Sequence, residues 1–375
     1  MQRVDAGLRL GANPPACSFV GSTYGKISFE SFFPKGPTHA QSYGMSSAGD
    51  RARGALYGLA IGDALGMPTQ FMSFDEVVAR FGVIDGFREA PADHLIAAGL
   101  PAGSITDDTE QALLVADALL AGAGQIDSED LARHLVAWAE RARERGSLDL
   151  LGPSSSAAIA ALVAGGPLDE LSRFGATNGA AMRIAPLGLV ISTDDLDALV
   201  DLVVDACQIT HNTGMAIAGA AAVAAAVSGG IGGASVAEAT TVGIRAAELG
   251  QRRGDWSPGP SIGRRIAWAV GLVDADDHER SVRDVVELVG TSLAVQESVP
   301  AAFAILALHP QDPWQACLTA ASLGGDSDTI AAMTGAIAGA CHGIDSWPGD
   351  AVRTVAEINN VDLEMYAEKL PALRA

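Results

Sequence analysis

The chain has 375 residues and a formal charge of −21, from 24 basic and 45 acidic side chains, and 49% of it is hydrophobic. That apolar content suffices for a buried core and excludes general disorder. The negative field repels phosphate backbones and anionic lipid, so neither nucleic acid nor a membrane is expected as a partner. With 69 Ala, 43 Gly and 5% aromatic residues, the composition favours closely packed helices over a β-sandwich.

Residues 1–44 differ from the remainder of the chain: they hold two of the three lysines, Lys26 and Lys35, and the pair Pro14-Pro15, without a sustained helical period. They are expected to form a poorly ordered N-terminal extension. From Ser46 onward the apolar spacing predicts helix after helix, punctuated by Gly, Pro and Asp. Ala55, Leu59, Gly62 and Gly66 share one face of the first. Further helices are expected over 74–81, 107–120, 128–145, 154–164, 194–209, 213–227, 235–249, 262–273, 282–289, 300–308, 313–322, 328–341 and 347–358. Residues 214–237 carry no charge over 24 positions. Their uninterrupted apolar part is shorter than the roughly 20 residues of a membrane span, so a buried helix is the better reading. No alternating strand pattern, fixed-period repeat or Pro/Ser-rich linker divides 45–375, which predicts one all-α domain. Cys17, Cys207, Cys317 and Cys341 form no CxxC, and no basic patch with an apolar run opens the chain. Reduced thiols, a cytoplasmic location and a monomer are expected.

Two segments place carboxylates where helices begin: Thr106-Asp107-Asp108-Thr109 and Gly324-Gly325-Asp326-Ser327-Asp328-Thr329. Asp and Thr at such positions cap free N–H groups, which is one sufficient explanation for each. Capping needs only one side-chain oxygen, however, and adjacent carboxylates repel unless a cation gathers them. Carboxylates with threonine hydroxyls are hard oxygen donors suited to Mg²⁺ or Mn²⁺. If the segments meet, Thr106, Asp107, Asp108, Asp326, Asp328 and Thr329 could hold two ions about 3.5–4 Å apart.

Together with Gly62-Asp63-Ala64-Leu65-Gly66, Asn178-Gly179-Ala180-Ala181-Met182-Arg183 and Thr210-His211-Asn212, these motifs resemble the ADP-ribosylglycohydrolase family, in family order from Arg51 to Gly343. That family includes the ADP-ribosylarginine and ADP-ribosylserine hydrolases and the dinitrogenase-reductase-activating glycohydrolase. The resemblance implies a compact orthogonal multi-helix bundle and a binuclear Mg²⁺ or Mn²⁺ centre. It assigns the metal-ligand roles to the six residues above, with Asp108 and Asp328 at the reaction. It further implies ADP-ribose contacts from Asn178, Gly179, Arg183 and His211, and, as a weaker match, from the loop Leu151-Gly152-Pro153-Ser154-Ser155. Asn178-Gly179 could equally be a plain turn, and His211 a cap or core histidine. Trp256, on a Pro/Gly loop, is a candidate for stacking on a base.

Gln70 departs from the family, many of whose members carry a glutamate there. A neutral amide cannot act as a general base or an anionic ligand. Either the metals and their Asp ligands suffice to activate water and Gln70 only hydrogen-bonds substrate, or the substrate differs from an ADP-ribosylated protein or the activity is weakened. The sequence thus predicts a metal-dependent hydrolase of the N- or O-glycosidic bond in ADP-ribosylated protein side chains or a related conjugate. A hydrolase of a small nucleoside, nucleotide or free ADP-ribose derivative, and a non-catalytic metal- or ADP-ribose-binding protein, remain as alternatives.

Overall fold

Seventeen α-helices and no strands make up the regular structure of the described residues, 46–144, 153–164 and 175–374 of a computed structural model. In chain order they are α1 (Ala48–Gly66), α2 (Phe74–Phe81), α3 (Asp107–Ala121), α4 (Ser128–Glu144), α5 (Pro153–Val163), α6 (Gly179–Met182), α7 (Leu187–Val190), α8 (Leu196–Cys207) and α9 (Gly214–Ile231). After these come α10 (Val236–Gly250), α11 (Ile262–Val270), α12 (His278–Asp284), α13 (Val295–Leu308), α14 (Pro313–Ala321), α15 (Ser327–His342), α16 (Gly349–Asn359) and α17 (Leu363–Lys369). The expected extension over 1–44 lies outside the described residues.

Short polar side chains start most of these helices. Ser47 and Asp50 form a capping box at α1, Ser235 and Glu238 another at α10, and Thr213 caps α9. The centre of the fold is the antiparallel pair α1 and α15. Gly54, Gly58, Gly62 and Gly66 recur every fourth residue along α1, and each lies against the backbone of α15 or its ends, at Gly339, Gly335, Ala331 and Ser327 in turn. Without side chains between them the two helices touch main chain to main chain. Behind this pair lies α9, whose 18 residues are all buried. By length and composition it could cross a membrane, but here α10, α15, α7 and α8 enclose it. Ala or Gly at most of its positions lets these neighbours approach closely. Cys207, Cys317 and Cys341 are free, buried thiols.

Several elements differ from the sequence reading, with α9 running on to Ile231 rather than 227 and α11 ending at Val270 rather than 273. The helix expected to begin at Pro300 begins at Val295 and runs through the proline. Pro300 cannot bond the Gln296 carbonyl, and Arg265 Nε donates to that oxygen instead, at 3.2 Å. The helix expected over 282–289 starts at His278 and ends in a π turn over Val285–Val289. The seven-residue α17 and the single-turn α6 and α7 are too short to show a clear apolar period.

Candidate active site

The two acidic helix starts, far apart in sequence, meet beside α1 in one buried cluster of five carboxylates: Asp63, Asp107, Asp108, Asp326 and Asp328. Three elements deliver them. Asp63 sits near the C-terminal end of α1, Asp107 and Asp108 open α3, and Asp326 and Asp328 flank the start of α15. The turn before α15 needs Gly324 and Gly325, with φ of 69° and 65°, a left-handed pair that a side chain would strain. Backbone bonds hold that turn, with Gly325 N donating to Met72 O and Asp326 N to Thr291 O, both at 2.7 Å.

Burial pushes every carboxyl of the cluster upward, and at Asp107, Asp108 and Asp328 repulsion from the neighbouring carboxylates adds to it. Asp108 is raised well above the usual carboxylate range by burial first, then by Asp328 and Asp63. Asp107 is raised by burial, Asp63 and Asp326, and Asp328 by burial, Asp326 and Asp63. Asp326 and Asp63 each reach about 6, held back by hydrogen bonds that favour their charged forms. For Asp63 those bonds are the N–H and hydroxyl of Thr106 and of Thr109, at 2.5–3.1 Å.

The donor chemistry fits hard divalent ions. Thr106 Oγ1 gives its proton to Asp63 at 2.8 Å and accepts from Asp108 N at 3.4 Å, which leaves one lone pair for another partner. Asp108 Oδ1 is buried without any hydrogen-bond partner, an orphaned anionic oxygen that a cation would satisfy. Thr329 stands with Asp326 and Asp328, its N–H donating to Asp328 Oδ1 at 2.9 Å and its hydroxyl to Asp326. As the side chains stand, no three Asp, Glu, His or Cys residues among those described converge closely enough to grip one ion. The cluster is therefore gathered by the fold but not closed.

The sequence profile of the ADP-ribosylglycohydrolase family matches residues 45–375. The chain belongs to the ADP-ribosylglycohydrolase family. An uncharacterized protein of Escherichia coli strain K12, YegU, is 37% identical over 87% of this chain and 97% of its own length. The ADP-ribosyl-dinitrogen reductase glycohydrolase of Rhodospirillum rubrum is 27% identical over 80% of this chain and 89% of its own. The ADP-ribosylarginine hydrolase Tri1 of Pseudomonas putida strain GB-1 is 29% identical over 82% of this chain and 74% of its own. A solved ADP-ribosylglycohydrolase-related protein complex contains a similar chain, with a TM-score of 0.65 and 26% identity over 88% of this chain and 99% of that one. The chain is a glycosidic-bond hydrolase on an all-α fold of the ADP-ribosylglycohydrolase type.

Within this ADP-ribosylglycohydrolase, the residues expected to touch substrate are mostly engaged with the protein itself. Asn178 Nδ2 donates to Asp326 Oδ2 and, at 3.0 Å, to Ser298 Oγ, so Asn178 aims a carboxylate of the cluster. Arg183 is 1% exposed and the largest fully buried side chain among the described residues. Its Nη1 donates to Gln111 Oε1 at 2.8 Å, and Gln111 Nε2 donates to Asp107 Oδ2 at 3.0 Å. The guanidinium thus faces the carboxylates through one amide. His211 is fully buried and held neutral, its pKa well below the usual histidine range through burial and then the nearby Arg183. Gly179 lies directly under its ring, where an added methyl group would stand 2.9 Å from Cε1.

Gln70 is buried, and its Nε2 has no hydrogen-bond partner. Its loop embraces the start of α15: Thr69 Oγ1 lies 2.9 Å from Ser327 Oγ, and Phe71 N donates to Gly325 O at 2.5 Å. Trp256 is 86% exposed on a loop tied to Asn212 and Gly214 by two backbone bonds. Leu151 and Gly152 of the weaker loop motif lie outside the described residues, while Ser155 is buried near the Gly179 backbone. Asp63 is the residue that sequence reasoning left out of the site. A signal was available: it is the only charged residue in 54–74, amid a small-residue helix with no polar face. A carboxylate there has to be buried and hydrogen-bonded.

Proposed function

We propose that this enzyme hydrolyses the N- or O-glycosidic bond joining ADP-ribose to a protein side chain or a related acceptor, with two Mg²⁺ or Mn²⁺ ions bound at the carboxylate cluster. The observation that carries the reading is the meeting of the two acidic helix starts around the orphaned Asp108 Oδ1. Five carboxylates buried together, with one oxygen orphaned, are costly unless something cationic completes them. Thr106, Asp107, Asp108, Asp326, Asp328 and Thr329 would hold the ions. When bound, such ions orient the hydroxyls of a sugar and activate water. Asp108 Oδ1 accepts a hydrogen bond from the attacking water. Asp328, across the cluster, faces the positive charge that develops at the anomeric carbon. Gln70 offers an uncharged amide donor to the substrate and cannot take a proton. Asn178 and Gln111 hold Asp326 and Asp107 in place, so little reorganisation is needed during the reaction. The activities named for the Rhodospirillum rubrum and Pseudomonas putida relatives support this substrate class.

The test is release of ADP-ribose from peptides modified on arginine and on serine, with Mg²⁺, with Mn²⁺ and after chelation. Turnover is expected to need the metal and to fall by at least about a hundredfold in Asp107→Ala and Asp328→Ala. Equal turnover by these variants and the wild type would overturn the mechanism. Turnover restricted to small nucleosides or free ADP-ribose derivatives would move the substrate to the neutral-amide reading that Gln70 invites.

A further inference from the structure

Away from the carboxylate cluster, two imidazoles meet at their tips. His278 opens α12, His309 follows the last residue of α13, and their Nε2 atoms stand 3.1 Å apart. Thr319 of α14 brings its Oγ1 to 3.0 Å from the same His309 nitrogen. A ring nitrogen offers either one proton or one lone pair, so His309 Nε2 can satisfy one of these neighbours and not both. A cation between the rings takes a lone pair from each imidazole and leaves the Thr319 oxygen as a neutral donor beside them. The ring positions carry the argument further. Zn–N bonds of about 2.05 Å across the 3.1 Å gap enclose about 98°, a little under the tetrahedral angle. With about 1.2 Å from ring centre to nitrogen, the centres would then lie about 4.9 Å apart, whereas a straight N–H···N bond along both ring axes sets them about 5.5 Å apart. The centres are 5.0 Å apart, with the ring planes inclined by 53°, which matches the convergent arrangement.

Both rings are partly exposed, so a small ion can reach them. Burial lowers the pKa of each, and His278 lowers that of His309 further, so neither has a proton to shed at neutral pH. Asp274, Asp276, Asp277 and Glu279 flank His278 in the chain and favour the approach of a cation. The pair also brackets a structural unit. Between the two histidines run α12, its π turn and α13, and the segment joining them meets the active site: Asp326 N donates to Thr291 O at 2.7 Å and Asn178 N to Leu293 O at 3.0 Å. We propose that His278 and His309 bind one imidazole-preferring divalent ion, of which Zn²⁺ is the type, and that this ion staples the base of the α12–α13 unit. The site is chemically separate from the oxygen-lined cluster, because Mg²⁺ prefers carboxylates and water to imidazole.

The experiment titrates Zn²⁺ calorimetrically, in excess Mg²⁺, into the wild type, His278→Gln, His309→Gln and Asp328→Ala. The last variant removes zinc taken up by the carboxylates and should still bind one ion per chain with wild-type affinity. Each glutamine variant should bind that ion roughly tenfold or more weakly. Thermal unfolding gives a second readout: zinc at about a hundred times its dissociation constant should raise the melting temperature of the wild type by about 3 °C or more, and that of the glutamine variants by about 1 °C or less. His278 stands partly exposed in the first turn of α12, so His278→Gln should fold even if His309→Gln does not. Zinc affinity in His278→Gln equal to wild type would overturn the site. So would an Asp328→Ala protein that takes up no zinc, since all binding would then belong to the carboxylates.

Discussion

Replacing single glycines along the α1–α15 contact separates the fold's stability from its chemistry. At Gly62 an added methyl group would stand 2.8 Å from Ala332 N, with the Ala331 carbonyl oxygen closer still. Ordinary contact begins at about 3.4 Å, so the helices must part by more than about 0.6 Å at that height. Gly54 makes a similar demand at the far end, where the methyl would meet the Gly343 carbonyl carbon at 2.6 Å. Overpacking of this kind costs about 1–3 kcal/mol, offset by about 1 kcal/mol of helix propensity when Ala replaces Gly. Both Gly54→Ala and Gly62→Ala should therefore lose about 1–2 kcal/mol in urea unfolding, since main chain on both sides leaves little room to relax. Their effects on turnover should diverge. Gly62 adjoins Asp63 and faces the second turn of α15 at Ala331 and Ala332, whereas Gly54 lies about 12 Å away along the helix. Displacing Asp63 from Asp328 by a fraction of an ångström to 1 Å is the scale of error that costs up to a hundredfold in rate. Metal affinity by calorimetry and kcat/KM on a modified peptide should fall ten- to a hundredfold in Gly62→Ala and only a few-fold in Gly54→Ala. Equal losses in the two variants, or a Gly62→Ala protein indistinguishable from wild type, would refute the idea that this helix contact sets the site.

Two more outcomes are expected from buried groups. Asp63→Asn turns one acceptor oxygen into a donor facing the N–H and hydroxyl of a threonine; the hydroxyl can rotate but the N–H cannot. With the amide nitrogen in the Oδ1 place the Thr106 N–H keeps the other oxygen at 3.0 Å, and the Thr106 hydroxyl must turn to accept from the amide; metal affinity should drop about 10–100-fold, and unchanged affinity would show that Asp63 does not position Thr106. His309, against His278 at 3.1 Å and Thr319 at 3.0 Å, has its pKa pushed down to about 3 by burial and then by His278. Above the unfolded value near 6.5 this has no effect on stability, and as pH falls from 6.5 toward 3 the unfolded chain takes up a proton that the native state refuses. That costs up to about 1.4 kcal/mol per pH unit, opposite in sign to the raised carboxyls of the cluster, so the clean measurement is a difference. The wild type should lose stability relative to His309→Gln between pH 6.5 and 4.5, and parallel pH profiles would exclude the histidine as the cause.

The acidic turns were legible because they break a local rule: more carboxylates stand at Thr106-Asp107-Asp108 and Asp326-Ser327-Asp328 than capping can use. The helices were legible where apolar spacing ran for three turns, and failed at α17 and at Pro300, where tertiary contact supplied what the local pattern lacked. The partners of Arg183 could not be read, because Gln111 is 72 positions before it and Thr210 is 27 after it, and neither residue type announces a buried cation. The same holds for the glycine strip. Its fourfold spacing is plain in the sequence, but small residues recur throughout this Ala-rich chain and do not name α15 as the partner.

The division of labour between helices and loops then explains where specificity has to reside. Asp63, Asp107, Asp108, Asp326 and Asp328 are fixed by helix packing, and Asn178, Gln111 and Arg183 are fully engaged in holding them. Groups whose hydrogen bonds are all internal cannot distinguish one acceptor side chain from another. What remains for the substrate are loop residues: the Gln70 amide and Phe71, which is 47% exposed. Phe71 adopts a φ of 60°, a conformation that costs a non-glycine residue on the order of 1 kcal/mol and that the Gly325 carbonyl secures through its N–H. On the proposed reading, a strained aromatic next to the Gln70 amide, tied to the turn that presents Asp326, would couple recognition of the leaving group to the carboxylates. Exchanging residues 70–71 should therefore redirect the choice of acceptor while leaving the cluster's affinity for divalent ions intact.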